Sequence, residues 1–514
     1  MINHTSTKHT TPCMLLCIGL TTLMAQAQPL LSTAHRPGTP GTPGRGIASI
    51  TRGPYLQLST PSSMILRWRT DVATDSQVMW GSAPGQLTES LTDPALTTEH
   101  EVMLTGLTPG TRYFYSVGSS VQVLAGDDTA HHLTTSPPAG SDESVRVWVI
   151  GDSGTGDDNA RAVRDAYLQY AQPAPADVWL TLGDNAYLLG TDSEHQLKLF
   201  DMYPSILRTT PIWPSIGNHD AFSIDQETQT GPFFDIFSLP TQGQAGGVAS
   251  GTEAYYSFDY ANIHFICLDT SGSDRSIDGP MLTWLAQDLQ ATQQRWLIAF
   301  FHHPPYSFGH NSDSEEHEPA MFQVRERVLP MLESAGVDLV LGGHSHSYER
   351  SYFLNGHYGL SSSLEPSMIL DAGDGQITGT GAYHKPSAGL VPNEGAVFVV
   401  AGSSGLLTGD TLGHPAMQNS RFDLGSMVID IFPHRLDAIF LTDTGVIGDH
   451  FVITKGPQPC IADVNRDGTL NFFDVSTYIT AYTAQNPAAD LDGNGTLNFF
   501  DISMFLTVFS QGCP

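Results

Sequence analysis

The chain has 514 residues, more than one ordinary domain needs, and its hydrophobic content of 40% is enough for sizeable cores. It carries 53 acidic residues against 22 lysines and arginines, a formal net charge of −31 at pH 7. So acidic a surface repels nucleic acid and anionic membranes, which excludes both as partners.

The amino-terminal residues predict export. Residues 1–27 combine Lys8, a short apolar stretch at 14–24 and the cleavage-type sequence Ala25-Gln26-Ala27, and therefore predict a secretory signal peptide. The apolar stretch is too short to span a bilayer, and no later run approaches 18 apolar residues. We expect a secreted or cell-surface protein without a membrane span, followed by a Pro/Gly-rich linker at residues 28–49.

Residues 50–137 predict a small all-β sandwich. Segments 64–69, 76–80 and 111–117 partly alternate apolar and polar side chains, and turn residues separate them. The stretch 104–115, which contains the sequence GLTPGT, resembles a strand corner of a fibronectin type III domain. We expect this domain to act as a packing scaffold rather than as a substrate lid or a dimer contact.

Residues 144–455 predict a larger α/β domain. Apolar runs at 145–150, 178–182, 296–301 and 337–341 are typical of buried strands, and residues 160–170 and 281–290 have helical spacing. Strands that alternate with helices indicate α/β layers. Cys267 lies inside another apolar run, so we expect a buried thiol and not a nucleophile.

Five short polar segments of this domain carry its chemistry, and most of them follow a predicted strand. They read GDSG at 151–154, GDNAY at 183–187, GNHD at 217–220, FHHP at 301–304 and GHSH at 343–346. Residues just past the carboxyl ends of neighbouring strands converge on one crevice. Mixed oxygen and nitrogen side chains suit two hard or borderline metals; the candidates are Asp152, Asp184, Tyr187, Asn218, His302, His344 and His346.

The order and spacing of these segments resemble the calcineurin-like metallophosphoesterases, and the tyrosine at 187 resembles the purple acid phosphatase branch. The resemblance covers about residues 50–455 and implies two sheets sandwiched between helices. It also implies a binuclear centre with Asp184 as the bridge. Fe(III) would be held by Asp152, Tyr187 and His346. A divalent iron, zinc or manganese ion would be held by Asn218, His302 and His344.

The resemblance further implies hydrolysis of a small phosphoester by metal-activated water, which needs no Ser or Cys nucleophile. His219 is carried over as a substrate-facing acid, and His310 as a second substrate-side histidine. We expect His303 to support the ligands from behind and Asp220 to orient its loop. Position 220 departs from the family, which usually has Glu there, but no ligand is affected.

Residues 459–514 contain a duplicated motif. Segments 463–474 and 490–501 both place oxygen-bearing side chains at loop positions 1, 3, 5, 9 and 12 and glycine at 6, the spacing of EF-hand calcium loops. Apolar helices are predicted at 475–482 and 502–509. The candidate Ca²⁺ ligands are Asp463, Asn465, Asp467, Thr469, Asn471, Asp474, Asp490, Asp492, Asn494, Thr496, Asn498 and Asp501.

This duplicated loop-helix resembles a dockerin type I domain, a small α module. The resemblance implies a cohesin-like partner and a link to polysaccharide breakdown. Cys460 and Cys513 flank the module, and we expect them to pair in an oxidising compartment. We expect four phenylalanines to close its core once the loops are ordered; they are Phe472, Phe473, Phe499 and Phe500.

Three functions remain open from the sequence. The leading prediction is a secreted phosphomonoesterase with a binuclear metal centre. A phosphodiesterase or nucleotide hydrolase of the same superfamily would use the same ligands, since specificity lies in the loops. The third is a non-catalytic, dockerin-bearing surface protein, which the intact ligand set opposes.

Overall fold

The computed structural model describes residues 48–457 except 173, 378, 409 and 410, together with 460–465, 469–486, 489–491 and 496–512. The predicted signal peptide and most of the predicted linker lie outside the described residues, as do the candidate ligands Asp467, Asp492 and Asn494 and the half-cystine Cys513. Within the described part, no helix has the length and apolar character needed to cross a membrane.

The amino-terminal domain is all β, as predicted. Its strands are β1 (Ile50–Gln57), β2 (Ser63–Gly81), β3 (Glu89–Thr105), β4 (Arg112–Ser119), β5 (Gln122–Gly126) and β6 (His132–Thr134). They form one six-stranded sheet in the order β1-β2-β4-β5, with β3 paired to β2 and β6 paired to β4. A separate core that includes Trp68 and Tyr115 fills this domain. Ser49 donates its backbone N–H to Asp71 at 2.8 Å, so the domain begins before residue 50.

The prediction of separate strands at 64–69 and 76–80 was wrong, because both belong to the continuous strand β2. The register against β3 shifts between Arg69 and Ser76, and His100 of β3 supports the irregular stretch. Its ring nitrogens lie 2.8 Å from the hydroxyls of Thr70 and Ser76. A buried histidine thus satisfies the polar groups that looked like a turn in the sequence.

In the described residues of the central domain there are two seven-stranded sheets and a small two-stranded one, β15-β16. The first sheet has the order β10-β11-β12-β13-β18-β14-β19, and the second β17-β22-β21-β20-β7-β8-β9. Their strands are β7 (Val145–Ile150), β8 (Val178–Thr181), β9 (Ile212–Pro214), β10 (Tyr256–Tyr260), β11 (Ile263–Cys267), β12 (Trp296–Phe300), β13 (Leu339–Gly342), β14 (Tyr348–Ser351), β15 (Phe353–Leu354), β16 (Ile369–Asp371), β17 (Tyr383–Lys385), β18 (Val397–Ala401), β19 (Met417–Arg421), β20 (Gly425–Phe432), β21 (Arg435–Thr442) and β22 (Ile447–Lys455).

The helices of this domain follow the strands in sequence. They are α1 (Asp158–Tyr170), α2 (Asp192–His195), α3 (Pro204–Leu207), α4 (Pro232–Ile236), α5 (Pro280–Ala291), α6 (Pro319–Gln323) and α7 (Leu329–Ser334). The α1 helix begins two residues earlier than the apolar spacing predicts, because Asp157 caps it by accepting hydrogen bonds from the N–H groups of Asn159 and Ala160. The predicted α/β sandwich is confirmed, with strand ends shifted by one or two residues.

A buried histidine ties the hairpin β10-β11 to α5. His264 lies with Nδ1 2.7 Å from Asp259 Oδ1 and Nε2 2.8 Å from Asp288 Oδ2, and its side chain is 1% exposed. The two carboxylates raise the pKa of His264 to about 9, against the opposing effect of burial. The imidazolium therefore joins three segments of the domain, none of which carries a candidate metal ligand.

The carboxyl-terminal module consists of α8 (Phe472–Thr483) and α9 (Phe499–Gln511) beside the described parts of its loops. Its described core is small, and the rings of Tyr478 and Phe505 stack in it at 4.2 Å. Cys460 is disulfide-bonded; its predicted partner Cys513 lies outside the described residues.

The expectation that four phenylalanines close this core was wrong. Phe472, Phe473, Phe499 and Phe500 are 67–74% exposed. In α8 the buried residues are Asp474 and Tyr478, four positions apart on one face. The two phenylalanines directly precede Asp474 and follow the N-cap Asn471, so helical geometry turns them away from that face.

Candidate metal centre

The five polar segments converge at the ends of strands from both large sheets. Asp152 follows β7, Asp184 follows β8 and Asn218 follows β9, while His302 and His344 follow β12 and β13. The three first strands are parallel neighbours in one sheet, and β12 and β13 are parallel neighbours in the other. The structure therefore brings together all seven side chains that the sequence singles out.

The backbone at this edge is tightly packed and unusual in conformation. A Cβ on Gly217 would lie 2.1 Å from the backbone nitrogen of Asp184, so only glycine fits before Asn218. Three of the seven candidate ligands have a left-handed backbone: φ is 55° at Asp152, 52° at Asp184 and 65° at His344. Such residues cost roughly 1–3 kcal/mol each and cluster at functional sites.

Three of the side chains form a first triplet of donor atoms, defined as Asp152, Tyr187 and His346. The Tyr187 hydroxyl lies 3.1 Å from Asp152 Oδ1 and 3.2 Å from His346 Nε2. His346 Nε2 in turn lies 3.5 Å from Asp152 Oδ1. Burial raises the pKa of Tyr187 above its usual value, and the carboxylates of Asp152 and Asp184 add to this rise.

The second triplet is Asn218, His302 and His344. Asn218 Oδ1 lies 2.8 Å from His302 Nε2 and 3.1 Å from His344 Nδ1, and the two ring nitrogens are 3.2 Å apart. His302 Nδ1 donates to the Leu182 carbonyl at 2.8 Å, which leaves Nε2 as a lone-pair atom. Electron-rich atoms that face each other in this way are satisfied by a cation between them.

Asp184 lies between the two triplets. Its Oδ1 is 3.6 Å from His302 Nε2 and accepts the backbone N–H of His219 at 2.9 Å. Burial raises the pKa of Asp184 to about 6. One oxygen or nitrogen atom each from Asp152, Asp184 and His302 falls within 4.8 Å of the others, which is a metal-sized group. The residues present therefore fit two cations that share one carboxylate.

His219 faces this group from the side. Its Nδ1 donates to the Leu188 carbonyl at 2.7 Å, which leaves Nε2 pointing to Asp184 Oδ2 at 3.9 Å. The ring also makes edge contacts with Tyr187 at 4.6 Å and Phe222 at 5.7 Å. The side chain is 28% exposed, so it is open to a ligand above the two triplets.

The structure places His310 at the second triplet as well. Its ring centroid lies 4.3 Å from that of His344 and 5.9 Å from that of His346. Glu318, which the sequence reasoning missed, has its Oε2 3.2 Å from His344 Nε2, and burial raises its pKa to about 7. No spacing rule identifies Glu318, because an irregular loop separates it from His310.

Asp220 and His303, the two residues expected to support the ligands, both contact the ligand segments. Asp220 is fully buried and accepts the N–H of Gly217 at 2.9 Å and the side-chain amide of Asn185 at 2.9 Å, which holds two ligand loops together. His303 packs its ring 4.4 Å from that of His344, and its Nδ1 lies 2.9 Å from the Thr270 hydroxyl. Neither side chain belongs to a triplet.

Comparison with known proteins defines the class of the domain that carries this site. A family model described as calcineurin-like phosphoesterase matches residues 145–348, and a model for the purple acid phosphatase N-terminal domain matches residues 52–135. The central domain is thus of the metal-dependent phosphoesterase class. Both models match in this order along the sequence, so the chain is similar to purple acid phosphatases over its amino-terminal and central domains.

Individual relatives agree. Purple acid phosphatase 15 of Arabidopsis thaliana is 28% identical over 279 residues. The match covers 49% of this chain and 49% of that one, so about half the length of each. Acid phosphatase type 7 of Homo sapiens is 27% identical over 318 residues, 56% of this chain and 68% of that one. The structure of a purple acid phosphatase from yellow lupin (Lupinus luteus) seeds superimposes with a TM-score of 0.61 at 18% identity, covering 79% and 75% of the two chains, and shows the shared fold.

Proposed function

We propose that this chain is a secreted hydrolase of small phosphate monoesters that works with a binuclear metal centre. The observation that carries the proposal is the pair of donor triplets with Asp184 between them. An isolated ion pair or hydrogen-bond network has no need for three lone-pair atoms within 3.2 Å of one another.

The two triplets would hold different ions. Asp152, Tyr187 and His346 provide the oxygen-rich set that suits Fe(III), while Asn218, His302 and His344 suit divalent iron, zinc or manganese. When bound, such a pair of ions lowers the pKa of water and neutralises charge on a phosphoryl group. Asp184 is placed to serve both.

The remaining steps belong to the side chains of the chain itself. His219 donates its Nδ1–H to the Leu188 carbonyl, so in the imidazolium form its Nε2–H would face the site and be donated to the leaving oxygen of the ester. His310 lies beside the second triplet, where it contacts a phosphoryl oxygen. Cys267 is fully buried with Sγ 3.7 Å from the Pro214 carbonyl, so it takes no part.

The two outer domains would extend this function. The amino-terminal domain serves as a fibronectin type III-like scaffold: Tyr55 and Arg67 donate hydrogen bonds to the carbonyls of Ile236 and Asp235 in the central domain. The carboxyl-terminal module would be a dockerin-type calcium module with a cohesin-like partner, and its four exposed phenylalanines offer that partner an apolar surface.

The two halves of that module support the calcium assignment because they repeat each other in detail. Asp474 accepts the N–H of Asn471 at 2.9 Å, and Asp501 accepts the N–H of Asn498 at 2.8 Å. Each asparagine also caps the helix that follows it. The carboxylate at loop position 12 is thus fixed in the same way twice, facing its loop.

The test combines metal analysis, a visible spectrum and hydrolysis of p-nitrophenyl phosphate against bis(p-nitrophenyl) phosphate, each before and after chelation. We expect about two ions per chain at this site, a visible absorption band that Tyr187→Phe removes, and faster hydrolysis of the monoester. A colourless, iron-free and fully active enzyme contradicts the ferric assignment. Preference for the diester favours a phosphodiesterase, and inactivity with every metal favours a non-catalytic protein.

A further inference from the structure

Two residues with exposed apolar side chains contact His219 at the edge of the metal centre, Phe222 through its ring and Leu188 through its backbone carbonyl. Phe222 lies in the short turn Asp220–Ser223, 66% exposed, with its ring 5.7 Å from that of His219. Leu188 is also 66% exposed, and its carbonyl accepts the His219 hydrogen bond. An exposed apolar residue alone means little, but two that flank one functional group form a local surface.

On the basis of the proposed function, we propose that this enzyme selects phosphate esters with an apolar, aromatic leaving group, which Phe222 and Leu188 receive. His219 is the group that protonates the leaving oxygen. Whatever is attached to that oxygen must therefore lie next to the side chains that flank His219. A ring placed there removes apolar surface of both partners from water, and edge-to-face contact with Phe222 adds to the attraction.

The charges around the centre support the same substrate class. Among the described residues, no hydrogen bond or ion pair joins a lysine or arginine side chain to the side chains of the seven candidate ligands. Lys198 is held by the Tyr187 carbonyl and Glu194, and Arg275 by the Thr270 carbonyl. Both cations already have partners in the protein.

The loop that follows His310 is acidic. The loop between His310 and α6 carries Glu315 and Glu316, both exposed, and ends with Glu318 beside His344. Together with a net charge of −31, these carboxylates repel leaving groups that bear several negative charges. Nucleoside triphosphates and polyphosphorylated inositols are therefore disfavoured at this centre, whereas an uncharged aromatic alcohol beside Phe222 meets no such repulsion.

The test compares 2-phenylethyl phosphate with ethyl phosphate, because their leaving alcohols have similar reactivity and differ in the ring. The full-length, metal-loaded enzyme should show a kcat/KM at least roughly tenfold higher for the aromatic ester, the usual size of an apolar pocket's discrimination. Phe222→Ala should remove most of this ratio by lowering kcat/KM for the aromatic ester more than for ethyl phosphate, and it should keep the metal content, while Phe222→Leu should keep part of the ratio. Leu188→Ala should act in the same direction.

A matched control is Val121→Ala, which truncates a 79% exposed residue in the turn between β4 and β5 and should change neither rate. Equal kcat/KM for the two esters in the wild type overturns the inference. An equal loss of kcat/KM for both esters in Phe222→Ala overturns it as well. So does a wild type that hydrolyses ATP faster than 2-phenylethyl phosphate. Hydrolysis of ethyl phosphate at a normal rate in any of these cases leaves the proposed function standing. Only a wild-type enzyme that hydrolyses none of the three substrates contradicts both the inference and the proposed function.

Discussion

The metal centre and the carboxyl-terminal module gather ligands in opposite ways. At the metal centre, the candidate ligands come from five segments spread over residues 152–346, and each sits at the end of a strand that a large core already fixes. In the carboxyl-terminal module, the candidate ligands come from two contiguous loops beside a core whose fully buried apolar residues, within the described part, are Ala462, Tyr478, Ala489 and Phe505. The first site is built by folding, whereas the second is expected to help build its own fold.

The largest effect that separates the two regions is expected at Asp184. Asp184→Ala removes the carboxylate between the triplets, so hydrolysis should fall by roughly 10⁴-fold or more, as when a whole catalytic unit is lost. Metal content at the centre should fall with it, while calcium binding by the module stays intact. The reverse control is Asp463→Ala, which should weaken calcium binding and leave kcat unchanged. Retention of two ions in Asp184→Ala would contradict the bridging role.

His219→Ala should separate chemistry from metal binding. Because His219 contacts Asp184 at 3.9 Å without belonging to either triplet, the variant should keep its metals and lose roughly 10²–10⁴-fold in kcat, the range of an acid–base group. Exposed His434, on the turn between β20 and β21, provides the control His434→Ala, which should be fully active. Metal loss equal to that of Asp184→Ala would make His219 a ligand or a structural residue.

The next effect is on stability and should be confined to the central domain. The pKa of His264 is about 9 in the folded protein, above the usual 6.5, so its contribution is complete below pH 6.5 and is lost as the pH rises toward 9. The shift corresponds to about 3 kcal/mol of unfolding free energy. Urea denaturation at pH 6 and pH 9 should show this loss in the wild type and a smaller one in His264→Gln. Equal pH dependence in both would rule out the histidine as its source.

The smallest effect concerns the module itself. If the loops bind calcium only when folded, calcium at about 100 times its Kd should stabilise the isolated fragment 458–514 by about 2.7 kcal/mol. The fragment 28–457 should keep full activity and show no response of its melting temperature to calcium. Thermal unfolding of both fragments, with and without chelator, measures this. A short fragment that melts identically in chelator, or a long fragment that is inactive, would contradict an independent calcium module.

The ligands of the metal centre could be predicted from the sequence because most of the motifs combine a glycine with a ligand at the end of a predicted strand. A glycine that must approach another loop closely, as Gly217 does, stands beside a ligand at a strand end, so motif and topology point to the same edge. Glu318 and the apolar pair Phe222 and Leu188 carry no such signal. Their roles depend on how irregular loops fold over the site, and spacing along the chain does not encode that path.

The errors made elsewhere have physical causes of the same kind. The polar stretch inside β2 resembles a turn in the sequence, but β2 is continuous there and His100 from β3 hydrogen-bonds to Thr70 and Ser76. The phenylalanines of the carboxyl-terminal module look like core residues by hydrophobicity alone. Capping by Asn471 and Asn498 sets where each helix begins, and that start decides which face its side chains occupy.

The left-handed backbone at Asp152, Asp184 and His344 limits which residues can replace these ligands. Among non-glycine residues, Asn, Asp and His adopt this conformation most readily. Glutamate would reach a metal by length but would add backbone strain at the same position. The backbone at these three positions therefore limits which ligands, and so which metal ions, a single substitution can introduce. A redesign for another metal should begin at Tyr187, His302 or His346 instead.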